Sequence, residues 1–308
     1  MLKGSGVTVE KFFNDNEKSL GINLLSGKKG LQRLIREGTA VRAGLALAGS
    51  YEYLADKRIH ILGMGEMAFL RTIPQNIKEA NVRGYLSHQI PCLILTRGLA
   101  PEPIFITCSN EFDVPIFLSP LVTTTVVTGI TFYLDRELAP SVSLHGSLVD
   151  IHGSGVLILG ASGIGKSETS LALLRRGHAL VGDDLILIKC LYGDVLVGET
   201  ANESMRGLIE LRGVGLVNLI RLFGSSIFRE RREIEVVVTL KSWEEGGNER
   251  PPNLENQTYR ILGVDLPHIS IPVAPGRDVA SLIEVAVQEI RMKKMFDKDK
   301  GNGSQPQT

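Results

Sequence analysis

The sequence predicts an α/β protein of two domains: a small N-terminal α/β domain and a C-terminal domain built around a phosphate-binding loop, or P-loop. Three observations carry that expectation. At 308 residues the chain is long enough for two hydrophobic cores. Short apolar runs alternate with stretches of helical spacing, the pattern that strands and helices leave in alternation. The run Gly155, Val156, Leu157, Ile158, Leu159, Gly160, Ala161, Ser162, Gly163, Ile164, Gly165, Lys166, Ser167 then reads as a buried strand, a glycine-rich turn and the start of a helix. The expected divisions are 1–135 for the N-terminal domain, ending in a linker helix, 136–296 for the P-loop domain, and 297–308 for a polar, disordered tail.

Composition narrows the class. A hydrophobic fraction of 43% and a charged fraction of 22% are those of a soluble globular protein. With 34 basic and 34 acidic residues the formal net charge is zero, so no electrostatic footprint points to nucleic acid or to an anionic membrane. Cys92, Cys108 and Cys190 are scattered, odd in number and without metal-ligand spacing, which fits a reducing, cytoplasmic setting. Lys3, Glu10 and Lys11 precede any apolar run, against a secretory signal. Residues 115–134 carry no charge and are long enough to cross a bilayer, but Pro115, Ser119, Pro120, Gly129 and several threonines lower their transfer energy. With Ser119 as N-cap and Pro120 as first helical residue, they are expected to form a buried helix joining the domains.

In the N-terminal domain, Leu31, Leu34 and Ile35 have helical spacing. Residues 58–62 read as a strand closed by Gly63 and Gly65, and 90–96 as a second buried strand. A third falls at 104–107 or 115–118. Arg42, Gly44, Gly49, Arg97 and Gly98 sit at turns, where folding alone explains glycine.

In the P-loop domain, 141–151 alternates as a strand carrying His145, for which a satisfied structural histidine is the default reading. Gly160, Gly163 and Gly165 let successive N–H groups of the loop point into one concavity that prefers an anion. The helix opened by Ser167 and Glu168 turns its positive end to the same place. Lys166 adds a mobile charge, and the Ser167 hydroxyl is placed to meet Mg2+. The helix ends at Arg175, Arg176 and Gly177. The apolar run 179–188 contains Asp183 and Asp184; a strand parallel to the loop strand sets such carboxylates at the phosphate edge, as metal ligand or as base toward an incoming hydroxyl. Adjacent strand residues point to opposite faces, so the two aspartates should not share one role. No N-K-x-D motif occurs and the only D-x-x-G, from Asp150 to Gly153, precedes the loop, against a regulatory GTPase. Residues 208–218 mix apolar residues with Glu210, Arg212, Gly213 and Gly215. Glu210 is a candidate second metal ligand there, though a glycine-bent helix or strand is the plainer account. Residues 229–232 read as a solvated charged turn, 233–240 as a strand, and 244–257 as a mobile loop carrying Arg250. After a strand at 269–273, Asp278 caps a helix expected from Val279 to about Lys294.

Taken together, several segments resemble the HPr kinase/phosphorylase family. They are His145-Gly146 with Val149-Asp150, the loop Gly160 to Ser167, Gly182-Asp183-Asp184, and Ile209, Glu210, Leu211, Arg212, Gly213, Val214, Gly215, Leu216, Val217 and Asn218. The turn Pro272, Val273, Ala274, Pro275, Gly276 and Arg277 also matches, as do N-terminal stretches 42–49, 58–63 and 91–99, so the likeness spans about 31–295. The glutamate–arginine–glycine run is close to diagnostic.

The resemblance implies a P-loop kinase domain acting with ATP and Mg2+ on a serine of HPr, the phosphocarrier protein of sugar uptake. It implies a reverse reaction in which inorganic phosphate removes the phosphoryl group as pyrophosphate, and a homohexamer. It assigns the nucleotide phosphates to Gly160, Ala161, Ser162, Gly163, Ile164, Gly165, Lys166 and Ser167, with Lys166 stabilising transferred charge and Ser167 on the metal. Asp184 becomes the acid/base and Asp183 its support. Glu210 becomes a metal ligand, and Arg250 with His145 completes the phosphate site. Residues 209–218 serve both directions and 272–277 mainly the reverse one. Ala274 departs from the family turn, which usually has arginine there, and this bears on phosphorolysis. Two other readings stay open: a P-loop kinase with a different substrate, and a nucleotide-binding metabolite sensor. Binding alone would not require a base such as Asp184.

Overall fold

In a computed structural model the described residues are 6–243 and 257–302, and the chain divides between Ala139 and Pro140 into two compact units. Arg250 and most of the loop expected at 244–257 lie outside the described residues.

The N-terminal unit has a five-stranded sheet in the order Asn23–Ser26, Ile116–Leu118, Leu93–Leu95, His60–Leu62, Val41–Arg42. All neighbours are parallel except the first pair. These strands are apolar without alternation because helices cover both faces. Leu62, Leu93, Leu95 and Ile116 pack with Leu70, Val82, Tyr85 and Phe105 on one face. Ile61, Ile94 and Phe117 pack with Phe12, Val126, Ile130 and Leu134 on the other. Successive residues of each strand thus feed opposite cores.

Two expectations for this unit need correction, and the alternative left open for its third strand is decided. Leu31, Leu34 and Ile35 do not form a helix: a 3-10 turn over Lys28–Gln32 leads into the short strand Leu34–Ile35, which pairs with Val7–Thr8. Residues 104–107 belong to the helix Pro103–Phe112, with proline in its first turn and Phe105 and Cys108 buried three apart. The third strand is Ile116–Leu118. Residues 115–134 are therefore not one buried helix. Ser119 closes the strand by donating to the Leu20 carbonyl, and the helix is Thr123–Glu137, capped at Val122. It buries Val126, Ile130, Tyr133 and Leu134 while Phe132 is exposed, one apolar stripe rather than an all-round apolar surface. Among the described residues, no helix is long and apolar enough to cross a membrane.

The second unit is organised by three adjacent parallel strands, Ser154–Gly160, Arg231–Ser242 and Val264–Val273. Outside the first lie Ser147–Ile151 and then Ala179–Gly182, each antiparallel to its neighbour, so the last runs in the direction of the loop strand. The first residues of Arg231–Ser242 also pair with Val195–Thr200, which continues to Leu185–Leu191 and Ser141–His145. Val156 and Ile158 pack on one face with Leu173 and Leu174 of the helix Lys166–Arg175 and with Ile283, Val287 and Ile290 of the helix Val279–Asn302. Leu157 and Leu159 pack on the other face with Val181, Ile186 and Ile188.

Here too some runs divide. Residues 141–151 break at Gly146, where a β-carbon would stand 2.7 Å from the Ile158 carbonyl oxygen, so only glycine lets the two strands part. Residues 179–188 break at the two aspartates. Residues 208–218 form a hairpin, Leu208–Leu211 with Gly215–Asn218. Of the charged run 229–232, Arg231 and Arg232 open a strand, and Arg229 and Arg232 lie 3.9 and 3.5 Å from Asp150. The C-terminal helix runs through Asn302, beyond the expected end near Lys294, so residues 297–302 are helical where a disordered tail was expected.

Candidate active site

The phosphate loop leaves the carboxyl end of Ser154–Gly160 and returns as the helix Lys166–Arg175. Gly160, Gly163 and Gly165 have φ of 150°, 78° and 105°, which turns the intervening N–H groups inward. Gly163 also lies directly beneath a side chain from another element. A β-carbon there would lie 2.0 Å from a guanidinium nitrogen of Arg212, which reaches from the turn of the hairpin onto the loop. Lys166 folds back over the concavity, with Nζ donating to the carbonyls of Gly160 and Ala161 at 2.9 and 3.1 Å.

The break after Ala179–Gly182 delivers the aspartates to this edge. Asp183 is 6% exposed. One carboxylate oxygen accepts from the Ser167 hydroxyl at 2.7 Å and the other from the Ser147 hydroxyl. Burial pushes its pKa up, against the lowering effect of those hydrogen bonds. Asp184 has the opposite setting. Its side chain is 74% exposed, and Oδ1 lies 3.7 Å from Nδ1 of His145, itself 78% exposed. The φ of Asp184 is +74°, a conformation that a non-glycine residue keeps only when its surroundings impose it. They do so here through two backbone bonds: Gly146 N–H donates to the Asp184 carbonyl at 3.0 Å, and Leu185 N–H to that of Asp183 at 3.1 Å. The pairing of Leu185 with His145 sets the histidine beside the aspartate. Asp183 therefore faces the loop, while Asp184 and His145 face solvent together.

The other sequence candidates lie on the hairpin and at the end of Val264–Val273. Ile209 is buried and Leu211 and Val217 pack against the same core, whereas Val214 and Leu216 are exposed. Leu208 pairs with Asn218, whose side chain accepts from Arg221 N–H at the start of the next helix. The Glu210 side chain is exposed and makes no hydrogen bond or ion pair among the described residues, while its backbone pairs with Leu216 in the hairpin. Pro272 and Val273 end their strand, and the turn through Ala274, Pro275 and Gly276 to Arg277 leaves the same sheet edge as the phosphate loop, with Arg231–Ser242 between them. Arg277 lies over the ring of Trp243 at 5.5 Å. Sequence reasoning passes over Ser147 and Trp243. The signal for Ser147 was present, since a serine amid Leu148, Val149 and Ile151 is a polar group that must find a buried partner.

The arrangement offers an anion cradle, a hydroxyl–carboxylate pair of hard oxygen donors, and an exposed carboxylate beside an imidazole. It has the parts for moving a phosphoryl group to a hydroxyl.

The chain is similar to proteins of one family. Residues 7–134 match the HPr Serine kinase N terminus family and residues 136–301 the HPr Serine kinase C-terminal domain family. The HPr kinase/phosphorylase of Brevibacillus brevis is 42% identical over 275 residues, covering 89% of this chain and 88% of that protein. That of Bacillus subtilis is 38% identical over 281 residues, covering 91% and 90%. The solved HPr(Ser) kinase/phosphatase of Coxiella burnetii is 33% identical with a TM-score of 0.47, covering 53% of this chain and 99% of that one.

Proposed function

The chain belongs to the HPr serine kinase family, and on that premise we propose that it transfers the γ-phosphoryl group of ATP to a serine of HPr and reverses the transfer with inorganic phosphate, giving pyrophosphate. One observation carries the chemical side of this reading: the two adjacent aspartates are held apart in role, Asp183 buried on Ser167 and Asp184 exposed beside His145.

In the forward direction the loop N–H groups take the nucleotide phosphates, and Lys166 exchanges the carbonyls of Gly160 and Ala161 for phosphate oxygens. Asp184 accepts the proton of the substrate serine as its Oγ bonds to phosphorus and the bond to the departing ADP oxygen breaks. In reverse, protonated Asp184 returns that proton to the serine oxygen while phosphate bonds to the phosphorus. Such a site mainly positions and stabilises charge, so phosphate in place of water lets it run both ways. The Ser167 hydroxyl and Asp183 carboxylate, 2.7 Å apart, are hard oxygen donors that suit Mg2+. When bound there, the ion neutralises phosphoryl charge. The reading further assigns Glu210 to the metal and Arg250 with His145 to the phosphates. It gives residues 209–218 a part in both directions and 272–277 in the reverse one. It carries a cytoplasmic location and a homohexamer, which light scattering would report as six chains of 33.6 kDa.

The test is incubation of the protein with ATP, Mg2+ and HPr, with serine phosphate read by mass spectrometry, followed by addition of phosphate. Loss of the phosphoserine with pyrophosphate release completes the expected result. ATP turnover without transfer to HPr would replace the substrate, and nucleotide binding without turnover would leave a sensor.

A further inference from the structure

A second group of ligand-type side chains lies at the other end of the loop helix, about 15 Å from the phosphate loop for ten residues at 1.5 Å each. His178 follows that helix and is 4% exposed. Its Nε2 is 2.7 Å from Oε1 of Glu284 on the C-terminal helix. His152, in the turn between Ser147–Ile151 and Ser154–Gly160, sets its ring edge to face with that of His178, at 4.6 Å between centroids and 89° between planes. One donor atom from each of the three lies within 4.8 Å of the others.

An ion pair alone is a poor account of the group. Arg176 already meets the other oxygen of Glu284 at 2.6 Å, so the carboxylate has a full cationic partner before His178 is considered. Arg176 also leaves Oε1 directed at the imidazole. The turn is fastened to the same helix, because Arg291 donates to the His152 carbonyl. His152 is held at φ +50°, which sets the direction of its Cα–Cβ bond while leaving the exposed ring free to rotate. Two imidazoles and one carboxylate are the donor set of borderline first-row divalent ions, with a remaining position for water. At metal–ligand distances of about 2.0–2.1 Å, donor atoms on a tetrahedral ion stand about 3.3 Å apart. Reaching that needs the 2.7 Å contact to open by about 0.6 Å and the His152 ring to swing in by up to about 1.5 Å.

We propose that His152, His178 and Glu284 bind one divalent ion of the Zn2+ class, which fastens the C-terminal helix to the sheet turn and to the end of the loop helix. The ion takes the place of the hydrogen bond between His178 and Glu284, with any proton on that Nε2 released to solvent, and is separate from the Mg2+ of phosphoryl transfer.

The test uses metal-free full-length protein without nucleotide, titrated with Zn2+ by calorimetry and with Co2+ by visible absorption. One equivalent is expected, with the nitrogen- and oxygen-type spectrum of tetrahedral Co2+, unaffected by excess Mg2+ and accompanied by a rise in unfolding temperature. His152→Asn tolerates the positive φ and should weaken binding at least tenfold with the fold unchanged by circular dichroism. Glu284→Gln should do the same, and His88→Ala should bind as the parent does. No binding at micromolar metal, binding undiminished in His152→Asn, or a thiolate-type Co2+ spectrum would each overturn the site.

Discussion

Asp183 and Asp184 are neighbours in sequence and opposites in electrostatics, and two predictions follow from that difference. Asp184 is exposed beside His145 and lies outside the phosphate loop, so Asp184→Asn should keep nucleotide affinity while the rate falls by roughly 10²–10⁴, the usual worth of a general base. Unchanged turnover in a rapid-quench assay would move the base elsewhere. Asp183 is buried, and burial raises its pKa above the ordinary carboxylate value of 3.8 that applies in the unfolded chain. In the window between those two values the folded state binds more protons than the unfolded state, so stability falls as pH rises through it. The neutral isostere removes that loss. Asp183→Asn should therefore melt at a higher temperature than the parent near neutral pH, by a margin that shrinks on titration toward about pH 4, while losing transfer activity. A margin that stayed constant with pH would show that the buried charge is not its source. The sequence made the aspartate pair conspicuous but could not say which was buried. That depends on Ser147, brought from thirty-six positions away.

At the scale of elements, the loop strand and loop helix were legible because a glycine pattern, an aliphatic run and a basic, glycine-capped end all agree. The breaks at Gly146 and at the aspartates were not, since each is imposed by a neighbouring strand: the Ile158 carbonyl excludes a β-carbon at Gly146, and Gly146 in turn holds Asp184. The helix Pro103–Phe112 was obscured for a related reason, as Ile104, Phe105 and Ile106 look strand-like until Pro103 is recognised as a first-turn residue. Two elements carry predictions. In the turn at 272–277, Ala274→Arg adds a cation on the edge that phosphate would approach. It should raise phosphate-driven dephosphorylation by up to about tenfold, the worth of one charge-assisted hydrogen bond of ~1.5 kcal/mol, with less effect on the forward rate. Equal effects in both directions would remove this turn from the reverse reaction. At the start of the C-terminal helix, Asp278 accepts from the N–H and hydroxyl of Ser281 and pairs with Arg176 at 2.5 Å, which together hold its pKa at about 2. A depressed carboxylate gives stability that is present above the unfolded value and lost as pH falls toward the folded one. Asp278→Asn keeps the cap but not the charge, so its acid unfolding curve should be flatter between the ordinary carboxylate value and about pH 2. An unchanged curve would show that the ion pair and cap contribute nothing measurable.

For the whole molecule, chain length and the alternation of strand and helix patterns led to two α/β domains, and the chain divides into two compact units after Ala139. Sequence could not reveal which of two cores each strand residue feeds. The apolar residues of Ile116–Leu118 and Ser154–Gly160 appear as uniform runs, and only the fold assigns alternate members to different cores. That assignment has a consequence for stability. Among the described residues, the cores of the second unit are built from residues between Val142 and Ile290, and those of the first from residues between Val7 and Leu138. A unit of this size buries about 68–70% of the surface of its unfolded chain, enough to fold alone. The phosphate loop, both aspartates, Ser147 and His145 all lie in the second unit. A chain of residues 140–308 should therefore unfold in a single cooperative transition and bind ATP within about threefold of the parent, a difference of ~0.65 kcal/mol. Its transfer to HPr would then measure what the first unit adds to substrate recognition beyond the chemistry. Calorimetry and nucleotide titration of that fragment decide the matter. A fragment without a cooperative transition, or one that folds yet loses ATP, would mean that residues before Pro140 help to build the site.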